Sequence, residues 1–469
     1  MSVERRGPGE LAIVLHTHMP YVEGFGTWPF GEEWLWEAIA TSYLPLLAVL
    51  DEGGRGRAPL TVSVTPVLCD QLEAPGAIER CIRFLEEIRP ESHRRDAAEL
   101  RRAGLEEQAA ELDRSAAQYA AACRRLAELG AVGLLEALGR HATWTSAATH
   151  AVLPLLATDA GLSLQVQTGI AARRRRFGAW PGGFWLPECA HAPWLDPLLA
   201  DAGVRAACVE LTGLLGLGDP RHLQPLAVTD GPVLWPVDRA TMALVWSDRG
   251  YPAGGAYRDS HRHTTHRHHV WRNDGAPYDH AAAVAAARAD AADFVARVRD
   301  RVARGGVCVC GLDTELLGHW WYEGVAWLRA VIAEAGRQGL TLTTLDDALE
   351  RHPAVPMPAR AQSTVTSWGE GGDLRTWSGP RVADMAWTAR AAELALLAAP
   401  APPSHRALRE LLALQASDWA FLESGRLAGD YPRERAAGHH RALRRALTGT
   451  VDASDPALRG LAPDLTGWR

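Results

Sequence analysis

The chain has 469 residues, 49 Lys and Arg against 56 Asp and Glu, and a net charge of −7. That length exceeds one ordinary core, and that charge gives nucleic acid no electrostatic reason to bind. No run of about eighteen uncharged apolar residues occurs, which excludes a membrane-spanning helix, and seven scattered cysteines, an odd number, do not form a disulfide framework. The expectation is a large barrel-type domain with a smaller companion, in a reducing cytoplasmic setting.

Met1-Ser2-Val3-Glu4-Arg5-Arg6 carries two arginines, but Gly7-Pro8-Gly9-Glu10 follows where a signal peptide would place its apolar core, so secretion is not expected. Residues 11–15 (LAIVL) form an apolar run without helical period, stopped by His16-Thr17-His18-Met19-Pro20, as a buried parallel strand ending in a polar loop would be. The same unit recurs at 60–64 before Thr65-Pro66, at 206–209 before Glu210, and at 306–310 before Asp313. In the last of these, Cys308 and Cys310 alternate with valines as small buried hydrophobes. Residues from about 81 to about 140 are rich in Ala, Glu, Arg and Leu at helical spacing, as over 97–127, and predict a helical insertion. His261, His263, His266, His268 and His269, interleaved with Arg and Thr, predict a mobile loop with adventitious metal binding at most. Strand signals stop after Asp346; Pro353, Pro356 and Pro358 mark a linker, and 383–398, 407–421 and 434–447 read as helices. The division is a catalytic α/β barrel over 1–350, a helical insertion at about 81–140, and an all-helical C-terminal domain over 359–469.

Two stretches place acids among tryptophans: Phe184-Trp185-Leu186-Pro187-Glu188-Cys189-Ala190 and Asp313-Thr314-Glu315-Leu316-Leu317-Gly318-His319-Trp320-Trp321. Cleaving an acetal needs one carboxyl group to protonate the leaving oxygen and another to capture or stabilise an oxocarbenium-like carbon. Flat indoles suit the C–H faces of sugars, and the chain holds 18 Trp against 8 Tyr and 7 Phe. Pro187 disfavours helix at Leu186, which predicts an extended strand end for Glu188 rather than a helix face. The competing role for Glu188 is an ordinary surface or capping glutamate; that for Asp313 is the N-cap of a following helix, with Glu315 as a supporting group. His16 and His18 could bind zinc with a third ligand, but no further spaced cluster stands out, and contact with sugar hydroxyls is the better reading.

Further motifs carry a resemblance. Leu15-His16-Thr17-His18-Met19-Pro20-Tyr21-Val22, Trp185-Leu186-Pro187-Glu188-Cys189-Ala190, Asp313-Thr314-Glu315-Leu316-Leu317-Gly318-His319-Trp320-Trp321-Tyr322-Glu323-Gly324 and Ser367-Trp368-Gly369-Glu370-Gly371-Gly372-Asp373 resemble glycoside hydrolase family 57, and look most like its 1,4-α-glucan branching branch. The likeness spans nearly the whole chain, taking in Thr149-His150, Val245-Trp246-Ser247, Gly250-Tyr251-Pro252 and Ser417-Asp418-Trp419. It implies an incomplete (β/α)7 barrel, a retaining mechanism, Glu188 as nucleophile and Asp313 as general acid/base, roughly 5 Å apart. It implies glucan contacts at Arg258, Trp368 and Asp418, and a lid bearing Tyr251 over the reaction centre; His16, His18, Trp321 and Trp377 are further candidate contacts for the sugar. No metal or other cofactor is implied. The partner is an α-1,4-glucan, with neither nucleic acid nor membrane, and the chain would be a monomer or small homo-oligomer. An α-amylase, a 4-α-glucanotransferase or a silent glucan-binding homologue are the alternatives. Departures stand out: Ala142 in Gly139-Arg140-His141-Ala142 replaces a carboxylate expected at a strand end, His191 replaces a tyrosine, and the loop after Arg258 is rich in histidine rather than aromatic residues.

Overall fold

The apolar runs form strands buried on both faces, the pattern of a parallel sheet covered by helices. The computed structural model describes residues 8–52, 58–449 and 460–468; the Met1–Arg6 segment lies outside them. β1 (Glu10–Thr17) lies one strand in from an end of the sheet, with β2 (Thr61–Val64), β3 (Ala142–Ser146), β4 (Gly183–Trp185), β5 (Ala206–Val209), β6 (Leu226–Ala227), β7 (Val233–Pro236), β8 (Val307–Asp313), β9 (Thr341–Leu342) and β10 (Val355–Pro356) following in the chain. Seven strands run parallel in the order β8-β1-β2-β3-β4-β5-β7, and the sheet stays open between its ends. This is an incomplete (β/α)7 barrel. Across the opening, the Asp238 N–H just beyond β7 donates to the Val309 carbonyl at 2.8 Å. β6 lies antiparallel to β7 and pairs with β10, so the proline-marked linker contributes a two-residue strand that its composition concealed.

The insertion is helical: Arg89–Arg102 packs on the long segment Glu106–His141, which breaks at Gly130, φ 59°. Among the described residues beyond 374 every regular element is a helix, namely Arg375–Ser378, Ala383–Leu397, His405–Leu414, Ser417–Ser424 and Tyr431–Leu447. The single helix expected over 407–421 is two, because Ala416 pairs with Ala151 and the Ser417 N–H donates to the His150 carbonyl at 3.1 Å. Those backbone groups point at the barrel instead of continuing a helical ladder. All seven cysteines are free and buried. Among the described residues no helix is long and apolar enough to cross a membrane.

Register decides what stands at the rim. His16 pairs with Ser63 of β2 on one side and Asp313 of β8 on the other, while Ser146 pairs with Trp185. Large indoles need room inside so tight a sheet. A Cβ on Gly183 would lie 2.1 Å from the Trp144 Nε1, and one on Gly311 would lie 3.1 Å from the Trp185 Cη2. Gly183→Ala should therefore lower unfolding stability by about 1–3 kcal/mol through overpacking. Urea denaturation measures it, and an unchanged midpoint would contradict this packing.

Candidate active site

The C-terminal ends of β1, β4 and β8 meet at one rim, as reactive groups do in β/α barrels. Asp313 is the last residue of β8. The Thr17 and Thr314 hydroxyls bond at 2.8 Å and Ser42 Oγ donates to the Thr314 carbonyl at 3.0 Å, which fixes that strand end. Glu188 comes three residues after β4, in a tight turn Pro187–Cys189 with φ 63° at Glu188 and 47° at Cys189. The extended backbone expected at Glu188 is thus corrected to a left-handed one. Such a conformation costs of order 1–3 kcal/mol per non-glycine residue and persists only where the surroundings enforce it.

The enforcement is visible. His191 and Thr366 exchange backbone hydrogen bonds of 2.9 and 3.0 Å, and the Trp368 N–H donates to the Glu188 carbonyl at 3.0 Å. This strip of pairing brings the Trp368 indole N–H onto Glu188 Oε2 at 2.8 Å. Trp377, buried behind it, would collide with a Cβ on Gly369. It props Trp368 rather than offering a face to ligand.

Under the acids lies a stack of three histidines. His16 lies flat on Trp185, with centroids 4.7 Å apart, and His150 stacks on His18 at 4.1 Å. His16 Nε2 bonds His150 Nε2 at 2.9 Å, His16 Nδ1 faces Ser63 Oγ at 3.3 Å, and His150 Nδ1 bonds Ser417 Oγ at 2.9 Å. His18 Nε2 meets Asp418 Oδ1 at 3.0 Å and its Nδ1 meets Thr65 Oγ1 at 3.1 Å. Every ring nitrogen already has a partner, so the lone pairs do not converge on a cation. Among the described residues no group of three or more His, Cys, Asp or Glu could hold a metal.

Protonation follows from this burial. Removal from water pushes Glu188 up to about 7, against the Trp368 indole donor, which favours its charged form; the nearby Asp313 charge adds to the rise. Burial likewise lifts Asp313 to about 6, partly offset by His18. Between about pH 6 and 7 the two acids hold about one proton between them, resting more on Glu188, and the form with the proton on Asp313 is the minor partner in that exchange. Burial keeps His16 and His150 well below the usual imidazole range, so their mutual bond joins neutral rings. Burial opposes charge on His18, but Asp418, joined by Glu315 and Glu188, lifts this ring above its usual value. Glu315, pushed up by burial to about 8, accepts from the Tyr43 hydroxyl at 2.6 Å and the His18 N–H at 3.1 Å.

Of the residues singled out in the sequence, Glu188, Asp313, His16, His18, Trp368 and Asp418 converge here. Others do not. Trp321 is packed inside against Tyr257 and Trp327, because the tight turn at Gly318 sends Trp320 outward and Trp321 inward. The Tyr251 hydroxyl donates to Asp293 at 2.7 Å on the helix His280–Arg301, so it does not cover the acids in this conformation. Arg258 pairs with Glu111 and lies over the Tyr322 ring at 3.5 Å, in a separate recess. The histidine-rich loop expected to be mobile is fastened: Asp96 accepts from Thr264 Oγ1 and the His266 N–H, and Ser92 Oγ bonds His268 at 3.0 Å. Ala142 opens β3 instead of ending it, which puts that departure at the end of the strand away from the acids. His191, fully buried, bonds Asp196 at 2.8 Å and serves the turn rather than a ligand. His150 and Ser417 are site residues the sequence reading passed over, although both lie in segments that carried the resemblance.

Comparison with known proteins agrees with this architecture. The family model described as glycosyl hydrolase family 57 matches residues 134–360. A probable 1,4-alpha-glucan branching enzyme of Mycobacterium tuberculosis is 32% identical over 98% of this chain and 95% of its own length. A 1,4-alpha-glucan branching enzyme of Thermococcus kodakarensis is 30% identical over 93% of this chain and 73% of its own. The crystal structure of a GH57-type branching enzyme from Pyrococcus horikoshii superposes with a TM-score of 0.85 at 29% identity, covering 96% of this chain and 93% of that one. The chain belongs to glycosyl hydrolase family 57. The three relatives named above, each similar to it over more than nine-tenths of its length, are described as branching enzymes.

The Trp368 contact can be tested by pH. Trp368→Phe keeps an aromatic ring but deletes the donor that favours charge on Glu188, so the shared proton moves further toward Glu188. The alkaline limb of the kcat/KM profile should rise from about 7 by roughly one unit and the maximum should fall. A profile with that limb unmoved would mean the indole does not hold the charge.

Proposed function

We propose that the chain is a 1,4-α-glucan branching enzyme working by double displacement. The observation that carries this reading is the pairing of two buried, raised-pKa carboxyl groups at one barrel rim, one of them bonded to an indole donor. Glu188 would attack the anomeric carbon of an α-1,4 linkage while Asp313 gives its proton to the departing oxygen, leaving the glucan chain esterified to Glu188. Asp313, now a base, would take the proton of a 6-hydroxyl on an acceptor chain as that oxygen displaces Glu188. His16 and His150, held neutral, and His18, held toward its charged form by Asp418, offer both acceptors and donors to the hydroxyls of the sugar between the acids. A cytoplasmic location fits the seven free thiols.

A second reading has one observation behind it. Tyr251 is tied to Asp293 instead of lying over the acids, and an uncovered ester is open to water, which would make the protein an α-amylase. Amylose separates the two: new α-1,6 branch points without a matching rise in reducing ends are expected, and reducing ends without branches would refute branching. Glu188→Gln and Asp313→Asn should each lower turnover by at least about 10⁴-fold with the melting temperature little changed, since neither amide can form the ester or move the proton. Near-normal turnover in either variant would reassign the site.

A further inference from the structure

Glu188 has two carboxylate oxygens, and the Trp368 indole serves Oε2 alone. The other, Oε1, faces the end of a buried row of side chains. His150 Nδ1 stands 3.8 Å from Oε1 and bonds Ser417 Oγ at 2.9 Å. His150 Nε2 bonds His16 Nε2 at 2.9 Å, and His16 Nδ1 faces Ser63 Oγ at 3.3 Å. Ser63, His16, His150 and Ser417 are each at most 4% exposed, so they have one another as partners in place of bulk water. The row draws on separate parts of the fold: Ser63 from β2, His16 from β1, His150 from the segment after β3 and Ser417 from the start of the helix Ser417–Ser424. His150 is held in the left-handed region, φ 59°, and its carbonyl accepts from the Ser417 N–H at 3.1 Å. The same two residues are thus joined twice, once through backbone and once through side chains.

The row has a direction. A neutral imidazole carries one N–H and one lone pair, and burial keeps both rings neutral, so one proton lies between the two Nε2 atoms. Which ring owns it sets every other bond. If His150 owned it, His150 Nδ1 would be a lone pair, the Ser417 hydroxyl would donate to that nitrogen, and only lone pairs would face a charged Glu188. If His16 owns it, His150 donates from Nδ1 to Ser417 Oγ, and the Ser417 proton is free to point at Glu188. A carboxylate selects the second arrangement, in which Ser63 donates to His16, His16 to His150, His150 to Ser417 and Ser417 to Glu188. Bonds aligned in this way polarise one another and strengthen the last of them without adding a cation. A hydrogen bond from Ser417 favours the charged form of Glu188, as the Trp368 donor does.

We propose that Ser417 is a positioning residue for the nucleophile: oriented by the neutral pair His16 and His150, its hydroxyl donates to Glu188 Oε1 while Trp368 holds Oε2, and the two donors together fix the carboxylate that attacks the anomeric carbon. No proton travels along the row; it supplies a dipole. The inference deepens the double-displacement reading, on which it rests, and holds whether a 6-hydroxyl or water takes the glucan.

The test reads the alkaline limb of the kcat/KM profile on amylose. The other groups whose charge bears on Glu188 are Asp313 at the end of β8, Asp418 beside Ser417 and His18 after β1, and the variants keep all three. Ser417→Ala removes the donor, so the limb should rise by roughly half a unit to one unit and the maximum should fall about threefold to tenfold. Ser417→Thr keeps the hydroxyl and should return both toward wild type. His150→Phe keeps a ring on His18 but cuts the row; it should move the limb in the same direction, and combining it with Ser417→Ala should move it no further. An unmoved limb in Ser417→Ala overturns the proposal even if activity falls, because a merely structural serine would lower the rate without shifting the profile. A shift that Ser417→Thr does not reverse, or a double variant whose shift is the sum of the single ones, overturns it too. Should Ser417→Ala not fold, His150→Phe reads the same limb with the same meaning. Glu188→Gln separates the two failures: if it is inactive and the limb is unmoved, the row falls and double displacement stands, whereas near-normal turnover in Glu188→Gln removes the nucleophile itself.

Discussion

Two carboxyl groups withdrawn from water onto the same rim repel one another whenever both are charged, and the surrounding architecture answers that constraint. Burial raises both Glu188 and Asp313, so that one proton resides on the pair near neutrality. The Trp368 indole offers Glu188 a donor without bringing a cation, and a cation there would have held both acids ionised. The histidines beneath are arranged in the same spirit. Two of the three are kept neutral, and the third is raised, against its burial, by Asp418 first and by Glu315 and Glu188 after it. What the site lacks in formal charge it replaces with oriented dipoles, which cost no reorganisation when charge moves during reaction.

The left-handed backbone at Glu188, Cys189 and His150 belongs to that arrangement. An extended strand end would send the carboxyl group along the strand axis; the tight turn re-aims it across the rim toward the β8 side. The strain is held by the backbone pairing of His191 with Thr366 and of Trp368 with Glu188, and by Ser417 on His150. A family 57 chain therefore keeps its reacting geometry through contacts made by segments far from the acids in sequence.

How much of this could be read from the residues depends on the range of the forces involved. The long parallel strands were legible because an apolar run ending in His16 or Asp313 is a local pattern, and so was the rim position of both residues. The two-residue strands β6, β9 and β10 were not, since pairing rather than composition defines them. The direction of the Glu188 turn depends on Thr366 and Trp368, and the value of His150 depends on Ser417, so neither was visible locally. Trp320 and Trp321 are chemically identical neighbours; only the turn at Gly318, seated on Thr41, decides which faces inward. The motif resemblance singled out Glu188 and Asp313, which lie at one rim, but it placed Tyr251 and Trp377 by analogy, whereas here Tyr251 bonds Asp293 and Trp377 is buried behind Trp368.

Asp418 and Ser417, the partners of His18 and His150, stand on a helix near the end of the polypeptide, whereas both histidines belong to its first third. During synthesis the barrel strands leave the ribosome well before that helix does. Until that helix docks, His18 lacks Asp418 and His150 lacks Ser417, so the histidine stack is completed only by contact between the barrel and the C-terminal helices.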